Sequence, residues 1–527
     1  MIYQSPHLTV KLHHRNPRHH PTLPHRPNPT RLPRPIVPGA SHRHKHRSNP
    51  PISHPSATPA TPLTHKFNNT LIPFRADTVS GVPLQRNPLP NRIQTRRKKT
   101  LLGVTTLVVL LLTTTQAVPY SVQTHEELID LAWKQSIRPI LLKHYPTLTE
   151  AQLQEAHAYA YGGSAIQDFG YYPFGNAFFS DLTHYVRAGD FVLSLLHNAK
   201  TPDELAFAIG ALSHYIGDAI GHSSAVNLSV PIEFPKLEKK YGSSVNYAEN
   251  PHAHVQTEFA FDINQLGKLR FAPSGYLKFV GLNISNDLIR RAFFETYGLK
   301  LSDIIGGKET AIRVYRHSVR SFIPNIARAE TILHKKNFPA DVPSPELNEV
   351  RDDLLQASAD NNWEAYRKKP GFGSHLYAGF IFIVPKFGTL KLLAIKGPTQ
   401  QTEDLYVKSL DHCIKVLRKV LNDFDNIGRY LANRDLDTGL LVKPGGYPLT
   451  DNTYAKLLGV ITSNPNNIVP IQLQHDLIAY YSDPQAPIIT KKNPEKWAEL
   501  QTNLRTLATM KTIGELDPVT LDELTEN

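Results

Sequence analysis

Apolar residues recur at three- and four-residue intervals through most of the chain after Glu126, and strict alternation is scarce. In HEELIDLAWKQSIRPILLKHY, apolar residues recur at three- and four-residue spacing, which predicts an amphipathic helix. TPDELAFAIGALSHYIGDAIGH opens on Thr201 with Glu204 three residues later, a capping signal that predicts where its helix begins. SNDLIRRAFFETYG and ETAIRVYRHSVRSFIPNIARAETIL continue the style. Loops rich in Gly, Pro, Asn and Ser separate these runs, notably YGGSAIQDFGYYPFGNAF and SSAVNLSVPIEFPKLEKKYGSSVNYAENPHAH. The fold class predicted is all-α, with residues 118–345 as one mainly helical domain. Composition breaks around DVPSPELNEV, and residues 346–527 read as a mainly helical C-terminal region of unknown role. Within it, the apolar run AGFIFIVPKFGTLKLLAI (378–395) is expected to pack in the core or against the first domain, with contact with a membrane surface as the alternative. TEDLYVKSLDHCIKVLRKVLNDFDNIGRYLANR reads as one long amphipathic helix, and no internal repeat is visible.

Charge changes this picture only at the amino terminus. The 527 residues carry a formal charge of +12, but residues 1–100 hold 17 Lys and Arg against one acid, Asp77, which leaves −4 for the rest. Bulk charge therefore argues against a stable nucleic-acid partner. The first hundred residues also carry 18 of the 42 prolines and 11 of the 25 histidines. Such a composition cannot bury enough apolar surface to offset chain entropy, so residues 1–95 are expected to be disordered, or to precede the true start. RRKKTLLGVTTLVVLLLTTTQA follows: a basic segment at Arg96–Lys99, an apolar stretch too short to span a bilayer, and small residues up to Ala117. Residues 96–117 thus read as a signal peptide, with an uncleaved amino-terminal anchor as the alternative, and the mature protein as secreted or periplasmic. Cys413 is the single cysteine, so no intrachain disulfide can form, and stability must come from a large core or a bound metal.

The chemistry concentrates in HYIGDAIGH, where His214, Asp218 and His222 follow one another at intervals of four. That spacing puts all three on one face of a helix that is otherwise apolar, so the polar face is expected to be buried. Buried imidazoles and carboxylates need partners, and a divalent ion satisfies several at once. PHAHVQTEF sets His254 and Glu258 four apart in the same way, while Asp168 follows a glycine pair, His184 lies in FFSDLTHYVRAGDF and His125 in SVQTHEEL. Nitrogen and oxygen donors without thiolate suit catalytic zinc, and eight donors exceed what one tetrahedral ion needs, which implies two or three Zn2+ ions. Clustered ions hold phosphoryl oxygens and activate a water. A closed, non-catalytic site that only staples helices is the alternative.

These residues resemble the zinc-dependent phospholipase C family, related to the fungal-type single-strand nucleases. The resemblance runs from His125 to about Arg328, is most specific in HYIGDAIGHSSAVN with its closing Asn227, and extends to a bacterial subgroup through THEELIDLAW, AYAYGGSAIQDFGYYPFG and FFSDLTHYVRAGDF. It implies an exported, all-α, multi-helix enzyme that cleaves phosphodiester bonds with a metal-activated water. It implies further that Asp168, His184, His214 and Asp218 hold one zinc. Asp218 would bridge to a second, completed by His125 and the free amino terminus, and His222, His254 and Glu258 would hold a third. Asp168 is the implied general base. The substrate implied is a phospholipid or another phosphodiester, reached by peripheral membrane contact, with single-strand nuclease or nucleotidase activity on the same cluster as the alternative. Oligomeric state is left open. Two features depart from the family pattern: three residues rather than five separate Asp218 from His222, which predicts a reshaped or lost third group, and cleavage after Ala117 exposes Val118 in place of the family's amino-terminal Trp. Trp133 is expected to be core. Tyr171, Tyr172, Phe174, Phe178 and Phe179 would either line a substrate pocket or pack.

Overall fold

The computed structural model describes residues 122–172, 175–268, 270–271, 280–305, 312–313, 315–316, 339–349, 352, 397–514 and 518–525. The tail 1–95, the segment 96–117 expected to be a signal peptide, the amine of Val118, Phe174, the run 378–395 and nearly all of the helix expected at 309–333 lie outside the described residues.

Helices dominate what is described. The first part comprises α1 (Val122–Ala132), α2 (Arg138–His144), α3 (Glu150–Ser164), α4 (Ala177–Tyr185), α5 (Ala188–Asn198), α6 (Pro202–Gly221), α7 (Asn227–Glu233), α8 (Pro235–Tyr241), α9 (Pro251–Gly267), α10 (Asn286–Tyr297) and the single turn α11 (Leu301–Ile304). After residue 397 come α12 (Gln400–Asn422), α13 (Pro448–Thr462), α14 (Ile471–Tyr480), α15 (Pro494–Thr509) and α16 (Pro518–Thr525). The two strands among the described residues, β1 (Val469–Pro470) and β2 (Thr512–Ile513), form a short parallel pair with Val469 opposite Thr512. The architecture is all-α. No described helix is long and apolar enough to cross a membrane.

Local chemistry explains where the helices that matter begin and end. Thr201 caps α6 by accepting the Glu204 amide at 3.1 Å, while Glu204 reaches back to the amide of Lys200 at 2.7 Å. Asn250 caps α9 by accepting from the Ala253 amide at 2.9 Å, with Pro251 at the first helical position. Gly298, at φ 64°, closes α10 in the left-handed conformation that a side chain would resist. The long helix expected at 402–434 stops at Asn422, and the chain tightens into a 3-10 turn at Phe424–Arg429.

Helix α6 is the axis of the core. Every residue from Leu205 to Asp218 is buried, because α1, α3, α5 and α12 all pack on it. The α3–α6 crossing is close: a Cβ at Gly163 would overlap the Phe207 carbonyl, and one at Gly210 would overlap that of Ala160. The glycine pair in YGGSA is thus required by packing. The apolar core is continuous across residue 345. Val407, Leu410, Ile414 and Leu417 of α12 share one cluster with Leu128 of α1 and Leu212 of α6.

Candidate metal centre

Four elements converge on the polar face of α6. Its register sets His214 and Asp218 one turn apart, with Nε2 of the first 3.0 Å from Oδ2 of the second. Helix α1 brings His125, whose ring stacks on His214 at 4.1 Å between centroids and whose Nε2 lies 3.2 Å from Asp218 Oδ1. This approach needs Gly217, where a Cβ would stand 3.3 Å from His125 Nδ1. Asp168 arrives on a 3-10 turn (Gln167–Tyr171) just after α3, and His184 on the last turn of α4. Nε2 of His184 sits 3.3 Å from Asp168 Oδ1, 3.2 Å from Asp218 Oδ2 and 3.4 Å from Nε2 of His214.

His222, His254 and Glu258 form an adjoining group. Glu258 Oε1 lies 3.1 Å from Nε2 of His222 and 3.0 Å from Nε2 of His254. Asp218 links the two halves, since its Oδ1 is 3.8 Å from His222 Nε2. The short spacing between Asp218 and His222 therefore leaves the third group assembled. It keeps His222 one turn beyond Asp218 on the same face, and a π-helical turn (His222–Val226) starts at that residue. In three sets, ligand atoms come within 4.8 Å of one another: His125, Asp168 and His214; His184, His214 and Asp218; His222, His254 and Glu258. All eight side chains named from the sequence lie in this one region, and all are buried. Its edges differ from the family scheme in one respect, because His125 groups with Asp168 and His214 as well as facing Asp218.

Orientation is fixed from behind. His184 Nδ1 donates to the Ser180 carbonyl at 2.8 Å, His214 Nδ1 to that of Ser164 at 2.9 Å, and His222 Nδ1 to that of Leu436 at 3.2 Å. Each bond leaves the Nε2 lone pair aimed inward, as a metal ligand requires. The carboxylate oxygens of Asp168, Asp218 and Glu258 are buried and accept no hydrogen bond among the described residues. Burying such oxygens without a donor is costly unless a cation sits among them, and the donor set of five imidazoles and three carboxylates fits zinc.

Electrostatics without an ion is split. Burial lowers His125, helped by the charge of His214, and burial pushes His254 down to about 4. For His184, burial opposes protonation, but the carboxylates of Asp168 and Asp218 outweigh it and raise the imidazole well above its usual value. His214 and His222 are raised against the same opposition from burial, chiefly by Asp218. Burial likewise resists ionisation of Asp218, yet His214 and His222 hold its carboxyl well below the usual range. Glu258 is driven up to about 8 by burial.

Residues 124–304 match the family described as zinc dependent phospholipase C. This segment belongs to that family. No curated protein and no solved structure matches the chain. Family membership brings a zinc-dependent phosphodiester hydrolase at the level of reaction class, and the three donor sets lie wholly within the phospholipase C segment.

The remaining sequence candidates divide clearly. Trp133 stacks on His157 at 3.9 Å, away from the donor sets, in a cluster where Tyr161 and His157 bond Asp130. Tyr172, Phe178 and Phe179 are core side chains, with Phe179 stacked on Phe293 at 5.3 Å. Tyr171 is buried with its hydroxyl on Asp181 at 3.0 Å. Sequence reasoning overlooked the segment 432–442, which follows α12 and touches the centre from outside the matched residues. Its one visible signal was the turn-forming string DLDTG, in which Thr438 donates both its amide and its hydroxyl to Asp435.

Proposed function

We propose that the protein is an exported, zinc-dependent phospholipase C-like enzyme that hydrolyses a phosphodiester bond of a phospholipid with a water nucleophile. The observation that supports this most directly is the meeting of three donor sets around Asp218 inside the segment that carries the family match. Zinc bound there would supply Lewis-acid stabilisation of phosphoryl oxygens and a water of lowered pKa. The chain's own residues do the rest. The Ser180, Ser164 and Leu436 carbonyls keep His184, His214 and His222 in one tautomer, which leaves their Nε2 atoms free to ligate. Asp218 spans both halves of the centre and fixes their spacing. His222, His254 and Glu258 would hold a third ion. The Asp168 carboxylate, buried 3.3 Å from His184 Nε2, takes the proton of the attacking water. Export is part of the proposal and rests on the pattern of residues 96–117.

The test uses the full mature chain, metal-free and zinc-loaded, on phosphatidylcholine vesicles and on a single-stranded oligonucleotide. Release of diacylglycerol that depends on zinc is expected. Turnover of the oligonucleotide alone would reassign the centre to nuclease chemistry. Bound zinc with no turnover of either would favour a purely structural cluster.

A further inference from the structure

Outside the residues that match the family, the stretch 432–442 binds the metal centre at four points. Its Leu436 carbonyl accepts from His222 Nδ1 at 3.2 Å. Its Leu436 amide donates to the backbone carbonyl of His184 at 3.1 Å. Its Asp437 carbonyl accepts from Asn227 Nδ2 at 2.8 Å, one residue beyond the π-helical turn that His222 begins. The Asp437 carboxylate itself is buried, with Oδ1 3.6 Å from His222 Nδ1 and Oδ2 accepting from the hydroxyls of Tyr185 at 3.0 Å and Tyr447 at 2.5 Å.

The stretch is built to stay in place. An antiparallel bridge joins Arg434 to Leu441, and the Asp435 amide donates to the Leu440 carbonyl at 3.0 Å. Gly439, at φ 69°, lies so close to the Ala219 carbonyl of α6 that a Cβ would overlap it. Upstream, Tyr215 of α6 donates to the Ala432 carbonyl at 2.6 Å, and the Asp190 amide to Asn433 Oδ1 at 3.1 Å. The phenol of Tyr185 follows His184 directly on α4, so Asp437 is tied to the elements that carry both histidines.

We propose that Asp437 is a positioning residue of the metal centre, acting through His222 from the opposite side of the ring to Glu258. Nε2 of His222 faces Glu258 at 3.1 Å while Nδ1 faces Leu436 and Asp437, so the ring is held between two acidic groups. The Leu436 carbonyl takes the Nδ1 proton and sets the tautomer, while the Asp437 carboxylate, 3.6 Å from the same nitrogen, places negative charge behind the ring and anchors the turn that presents Leu436. Losing such a support behind a ligating imidazole typically weakens metal binding about 10- to 100-fold. The C-terminal region thereby acquires a role: it supplies the back wall of the His222, His254 and Glu258 group. The inference rests on the reading of those three residues as ligands.

The test is zinc titration of the metal-free full-length chain against a chromophoric chelator, so that its readout is affinity and not hydrolysis. In Asp437→Asn, which can still accept from both tyrosines, one zinc equivalent is expected to weaken at least about tenfold while the others hold their affinity. Asp437→Glu is expected to recover most of that loss. Unchanged affinity for every equivalent would overturn the proposal, and so would parallel weakening of all equivalents with a lowered melting temperature, which marks a merely structural loop. Should Asp437→Asn fail to fold, Tyr447→Phe, which removes a hydroxyl donor to Asp437, takes its place, with weakening of the same single equivalent expected and no change overturning the idea. If wild-type protein binds zinc but cleaves no lipid, the proposed substrate fails while the role of Asp437 stands.

Discussion

Replacing Gly210 by alanine tests whether the α3–α6 crossing sets the geometry of the centre. The new Cβ would stand 2.7 Å from the Ser164 amide nitrogen and 2.9 Å from the Gly163 Cα, and would overlap the Ala160 carbonyl. All three are backbone atoms, so no rotamer change relieves the clash, and the helices must separate by about 1 Å. Overpacking of this kind costs about 3 kcal/mol, while alanine's better helix propensity returns about 1 kcal/mol, so a net loss of about 2 kcal/mol is expected. The consequence for the site is specific. Ser164 is the residue whose carbonyl holds His214 Nδ1 at 2.9 Å, and His214 is one turn beyond Gly210 on α6. Displacing one against the other by about 1 Å should reduce turnover of a phosphodiester substrate on the order of 100-fold. Urea unfolding, zinc content and turnover are measured on the same preparation. A Gly210→Ala protein with wild-type unfolding midpoint, zinc content and turnover would refute the argument.

Three further outcomes are expected. Chelation should lower stability by about 3 kcal/mol relative to protein held in zinc at 100 times the dissociation constant, with recovery on re-addition; identical melting with and without chelator would contradict a metal centre. Asp218→Asn, which alters the carboxylate lying 3.0 to 3.8 Å from four imidazoles, should lose at least one zinc equivalent and nearly all turnover; elemental analysis showing full occupancy would count against Asp218 as a ligand. Asp262 accepts from the hydroxyl of Thr124 at 2.7 Å, yet burial pushes it up to about 7. An acid raised in the folded state favours its neutral form there, so its contribution is intact below the unfolded value of 3.8 and is lost as pH climbs towards 7. Wild-type stability should therefore fall by about 2 kcal/mol more than that of Asp262→Asn between pH 5 and 7, and parallel pH profiles would refute the assignment.

Spacing made much of this legible. Intervals of four in HYIGDAIGH and PHAHVQTEF are statements about one helical face, and the contacts between His214 and Asp218 and between His254 and Glu258 are their direct result. The Thr201 cap could be read for the same reason, since three residues separate hydroxyl and amide on the first turn. Long-range approach could not. Nothing in YGGSA names Phe207 as the backbone that Gly163 must admit, and nothing near residue 437 carries a helical period linking it to His222 more than two hundred positions earlier. The contact between His222 and Asp437 depends on loops and tertiary packing that a periodic reading cannot supply. The end of α12 at Asn422 was missed for a local reason. Asp423 accepts from Asn426 at 2.7 Å and Tyr430 at 2.9 Å, an alternative set of bonds that ends the helix although apolar positions continue.

The packing of α12 on α1 and α6 decides what a shortened protein would look like. A chain ended at residue 304, where the family match stops, would strip Val407, Leu410, Ile414 and Leu417 from Leu128 and Leu212. It would present to water an apolar trough beside the helices that hold His125 and His214, an invitation to clump with its own kind. Limited proteolysis that nicks the protein between 305 and 396 should for that reason yield two pieces that travel together through gel filtration.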